Sequence, residues 1–180
     1  MVTRFVEGPV SDFVKMNVDI PRFLGCCRDC PNYNKRWSCP PYDFFVEAVW
    51  KQYTDILLYE VKVPVSKELQ DVTHTQDELN DISRAILAPI KKQMTEDLLE
   101  LEKQNPGSRA LFAGTCELCE NCNKESGEPC MHPDLMRHSI EALGGNVAQA
   151  VRIFFDDDIL WAKDGHLPEY FILLGGLLKR

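Results

Sequence analysis

The chain has 180 residues, 44% of them hydrophobic, and a formal charge of −8, which is enough apolar material for one ordinary core without covalent staples. The negative balance, with no cluster of lysine or arginine to reverse it locally, argues against a nucleic-acid partner. No apolar run approaches the ~20 residues that cross a bilayer, and Met1 to Val10 lacks the basic-then-apolar pattern of a leader. The expectation is a cytoplasmic protein of one domain over residues 1–180, with no membrane contact.

In chain order, the first chemical signal is the stretch from Cys26 to Pro41. Cys27 and Cys30 form a C-x2-C pair, Cys39 follows after eight residues, and Cys26 stands directly beside Cys27. Adjacent side chains point in different directions and rarely serve one metal together. The segment therefore offers three well-placed thiols, to be completed by Cys26 or by a distant ligand, or else left with an open position. Pro31, Pro40 and Pro41 stiffen it. Tyr33, Trp37, Tyr42, Phe44 and Phe45 supply shielding, and Arg28, Lys35 and Arg36 favour thiolate over thiol.

From Asp55 to Val63, Leu57, Tyr59, Val61 and Val63 alternate with Leu58, Glu60 and Lys62, the period of two of a strand that Pro64 ends. Leu79, Ile82, Ile86, Ile90, Met94, Leu98 and Leu101 then recur at steps of three or four along a long helix, which Pro89 is expected to kink or divide. Asn105, Pro106 and Gly107 stop it, and Arg109 to Ala113 reads as a short buried strand.

That strand leads to the second group: Cys116, Cys119 and Cys122 at successive two-residue gaps, then Cys130 after seven more residues. Repeated two-residue gaps let a looping backbone aim successive sulfurs inward while its amides donate to a cluster, and bacterial ferredoxins use the same triple run. Cys130 is a local fourth ligand. Zinc sites more often pair two C-x2-C halves across a longer spacer, so the pattern points to an iron–sulfur cluster, [4Fe-4S], on Cys116, Cys119, Cys122 and Cys130, with zinc as the alternative. His132 is a weaker ligand candidate. Disulfides belong to small secreted domains, whereas clustered cysteines in a reducing compartment bind metal.

Pro133 suits the first turn of a helix to about Leu143, with Glu141 facing solvent and Gly144-Gly145 as its stop. Val151 to Phe155 and Tyr170 to Leu174 read as two more strands, joined by turn residues. The resulting order predicts an α+β sandwich: a mixed or antiparallel sheet of about four strands, helices covering one face, and two cysteine-rich loops.

The chain resembles a bacterial and archaeal family of predicted metal-binding proteins. The resemblance rests on Cys27 to Cys30, Asn32-Tyr33, Trp37-Ser38-Cys39-Pro40-Pro41, the Gly114-Thr-Cys-Glu-Leu-Cys run through Cys130, and Pro133, Arg137, Ser139 and Glu141-Ala142. It implies metal and an anaerobic setting, and names no reaction. Gly144-Gly145-Asn146-Val147 departs from the expected Gly-Ile-Asp-Val.

The leading expectation is a small iron–sulfur protein that transfers electrons to a redox partner protein or assists its maturation. The alternative is a zinc-stabilised interaction module without redox chemistry. A reactive Cys26 polarised by Arg28 has no base constellation behind it: His74, His138 and His166 lie in polar contexts, and Asp156 to Asp158 reads as a solvated turn.

Overall fold

The structure, a computed structural model, describes residues 1–180. Four antiparallel strands form one sheet: β1 (Val2–Pro9), β2 (Asp55–Pro64), β3 (Arg109–Leu111) and β4 (Tyr170–Lys179), in the spatial order β1-β2-β4-β3. Helices α1 (Val10–Asn17), α2 (Ile20–Cys27), α3 (Val46–Trp50), α4 (Lys67–Gln70), α5 (Gln76–Gln104) and α6 (Val147–Phe155) complete the fold. None is long and apolar enough to cross a membrane.

The period of two along β2 has the predicted consequence, and then goes further. Ile56 and Leu58 enter a core with Phe13, Trp50, Val151 and Leu174 under α1, α3 and α6. Tyr59, Val61 and Val63 pack on the other face with Met94 and Leu98 of α5. Helices thus cover both faces, where one was expected, because the N-terminal half contributes helices whose short apolar patterns are hard to see in sequence.

Helix α5 runs unbroken through Pro89. Pro89 sits on the exposed side, where water can replace the amide hydrogen bond that proline removes. Its start is fixed by a capping box: Thr75 Oγ1 accepts from the Glu78 amide at 3.3 Å, and Glu78 Oε2 accepts from the Thr75 amide at 2.8 Å.

Two predicted elements differ. Val147–Phe155 is a helix, not a strand, because Asn146 Oδ1 caps the Gln149 amide at 3.1 Å and Asp156 closes the last turn with φ 51°. Its apolar residues then fall at helical spacing against α1. The helix expected from Pro133 does not form. After a turn at residues 133–135, the Phe112 amide donates to the His138 carbonyl at 3.0 Å and Phe112 bridges Ser139, which keeps the chain out of a helix until a 3-10 turn at Glu141–Leu143.

Asp157 is likewise no solvated turn residue. It binds Lys62 at 2.6 Å and Arg4 at 2.9 Å and accepts from the Tyr170 hydroxyl at 2.9 Å; burial pushes its carboxyl up, but the hydrogen bonds from Lys62, Tyr170 and the Asp158 amide, with the Lys62 charge, outweigh this and hold it down at about 2.

Candidate metal centre

Cys26 and Cys27 end α2, Cys30 and Cys39 lie in the irregular loop that follows it, and the other four occupy the irregular loop leaving β3; all eight are free thiols. The loops lie against each other. The Cys116 amide donates to Ser38 Oγ at 3.1 Å, Arg36 Nη1 to the Cys116 carbonyl at 3.3 Å, and Trp37 Nε1 to the Glu128 carbonyl at 3.2 Å. Lys124 Nζ crosses back to the Cys39 carbonyl at 3.0 Å. Thr115 Oγ1 lies 3.4 Å from both Ser38 Oγ and Cys39 Sγ, so Ser38 and Thr115 join the two groups. Ser38 is almost fully buried, which is why one hydroxyl can organise both loops.

Cys116, Cys119, Cys122 and Cys130 line one half-open cavity, together with Arg36, Trp37, Leu118, His132 and Met136. Burial raises the Cys116 thiol, the Leu118 amide hydrogen bond opposes the rise, and Cys119, Cys130 and Cys122 add to it. Each of the other three cysteines is therefore within electrostatic reach of Cys116. As they stand, no three His, Cys, Asp or Glu side chains are spaced for one metal ion. The donor set fits a thiophilic metal: four ionisable sulfurs, a backbone amide aimed at one of them, apolar walls, and Arg36 on the rim to offset charge. His132 lies on the same rim, and its carbonyl accepts from the Leu135 and Met136 amides at 3.1 and 2.9 Å, starting a turn where a helix was expected.

The first group surrounds Cys27. Its thiol is pushed up to about 11, by burial first and then by Cys30, Cys39, Glu141 and Cys26 in that order. Cys26 and Cys30 are exposed, and Cys27 and Cys39 half-buried. The Tyr42 hydroxyl, raised by burial beside Cys39 and Cys27, donates to the Ser38 carbonyl at 2.9 Å.

Several side chains have other surroundings than the sequence suggested. Glu141 does not face solvent: its Oε2 is buried without a hydrogen-bond partner, and burial raises the carboxyl. His138 is buried edge-on to the Tyr42 and Phe44 rings, 5.0 and 5.5 Å between centroids. Arg28 and Lys35 stay at the surface, while Lys124, which carried no sequence signal, takes the bridging place.

No curated protein and no solved structure gives a significant match. Residues 15–171 do match one family profile. A profile covering that much of the chain, including all eight cysteines, means that the protein belongs to the family described as predicted metal-binding protein (DUF2284).

Proposed function

We propose that the protein carries a [4Fe-4S] cluster on Cys116, Cys119, Cys122 and Cys130 and uses it to pass electrons to a partner redox enzyme, as carrier or accessory. The observation that supports this reading best is the single cavity lined by all four of these thiols. Four thiolates suit zinc equally in number, but the two-residue rhythm of Cys116, Cys119 and Cys122 is the ferredoxin pattern and favours the cluster. A cluster carries its thiolates on separate iron corners and spans a wider opening. Trp37, Leu118 and Met136 limit water, and the half-open mouth leaves the centre near the surface, where electron exchange with a partner is feasible.

Anaerobic purification of the full chain, with iron and sulfide analysis and EPR of the reduced protein, tests the proposal. The double substitution C119S/C122S is expected to lower the content by about four iron and four sulfide per chain and to remove an EPR signal. Stoichiometric zinc with no iron, from cells supplied with both metals, overturns it.

A further inference from the structure

We propose that the cleft between α3, the start of β3 and the ring of His138 binds a small carboxylate that carries one negative charge and a flat apolar body. The cleft holds about 250 Å³ and shares no lining residue with the four-cysteine cavity. Phe44, Phe45, Val49 and Tyr53 wall it, and Gln52, Arg109 and His138 bring polar groups to it.

The anion-binding end follows from the placement of Arg109. This residue opens β3 opposite Leu178 of β4 and forms no ion pair with any carboxylate of the chain. Glu102, the acid that its charge reaches, is already engaged: Arg137 Nε donates to it at 2.7 Å and the Ala110 amide at 2.6 Å. A half-buried guanidinium without a counter-ion is poorly compensated, whereas its fork matches both oxygens of a carboxylate. Arg109 Nη2 lies 3.5 Å from His138 Nδ1. A guanidinium only donates, so Nδ1 accepts, and a neutral imidazole that accepts there carries its proton on Nε2. No group of the protein accepts that Nε2–H. Nor can the ring turn away, because Tyr42 and Phe44 pack edge-on to it and the Phe112 amide holds the His138 carbonyl at 3.0 Å. The cleft therefore offers one ligand a guanidinium and an imidazole N–H. One uncompensated cation balances one negative charge; a phosphate dianion would keep half of its charge unpaired here.

The walls select the rest of the ligand. Phe44 is fixed by stacking on Tyr42 at 4.7 Å between centroids, while Phe45, at the N-terminal end of α3, is 84% exposed. A ring left in water beside a cleft is stabilised by covering a flat apolar surface. The volume falls just below the range that takes drug-sized molecules, so the occupant is no larger than a single substituted ring.

Isothermal titration of the anaerobically purified full-length protein with phenylacetate, phenylacetamide and inorganic phosphate tests the site. Phenylacetate is expected to bind; phenylacetamide, which has the same shape without the charge, and phosphate should bind at least about tenfold more weakly, the size of a lost charge-assisted hydrogen bond. Arg109→Gln and Gln52→Glu should each weaken phenylacetate by a similar factor, the second by setting a repelling carboxylate on the exposed rim. Phe45→Ala should weaken it less, and Arg84→Gln, exposed on α5, should leave it unchanged. Q52E and F45A decide the matter if R109Q fails to fold. Absence of phenylacetate binding overturns the site, and equal binding of phenylacetamide or tighter binding of phosphate overturns the carboxylate assignment. Undiminished affinity in both Q52E and F45A overturns the location.

Discussion

At the scale of single residues, the burial of His138 has a consequence that can be titrated. Burial first, and then Arg109, Arg137 and Lys124, lower its pKa from 6.5 to about 4. In the unfolded chain the ring takes a proton near 6.5, so between those limits the unfolded state binds more protons than the folded one. Stability from neutral His138 is fully present above pH 6.5 and is lost as pH falls toward 4, by about 3 kcal/mol in total for a shift of this size. Urea melts of wild type and His138→Gln across pH 4 to 7 should show this slope in the first and not in the second. Asp157, held down at about 2, acts in a lower window, from about 3.8 to 2, whereas the carboxyls of Glu60 and Glu141, both raised above 4.5 by burial, act within the tested range in both proteins, so the difference between the two pH profiles is what reports His138.

At the scale of elements, the close approach of α5 and β3 to β4 depends on the absence of one side chain. A Cβ on Gly175 would meet the Leu111 carbonyl oxygen and Leu98 Cδ1, each at 2.8 Å. The bare backbone lets Leu98, itself fully buried, descend onto the sheet between Met94 and Leu177. Gly175→Ala must push α5 or β3 outward, and such overpacking should destabilise by roughly 1–3 kcal/mol. Chemical denaturation measures it, and an unchanged midpoint would mean that β3, only three residues long, yields freely.

At the scale of the whole molecule, the core and the cysteine loops are held by different forces. The sheet and its helices bury two apolar layers that contain none of the eight cysteines among their fully buried residues. The loops have only single turns of helix and a few cross-loop hydrogen bonds, and metal ligation is folding free energy for such segments. Removal of metal by chelation should therefore leave far-UV circular dichroism and a cooperative melt largely intact, while trypsin gains access at Lys35, Arg36 and Lys124. If the apo and loaded proteins are cleaved alike, the metal does not order the loops.

Legible in the sequence were features set by spacing along the chain: the strand at β2 from its period of two, α5 from its steps of three and four, and the cysteine groups from their two-residue gaps. These patterns hold whatever packs against them. The tertiary structure alone decided the rest, because the competing local preferences were close in energy. Val151 to Phe155 suits a strand by composition until Asn146 and Asp156 cap it as a helix, and Pro133 to Leu143 suits a helix until Phe112 takes the His138 carbonyl. Nor does any local rule show that Ser38 and Thr115 bind two distant cysteine loops together, or that Glu141 turns inward; both follow from α2, β3 and the 3-10 turn meeting in space.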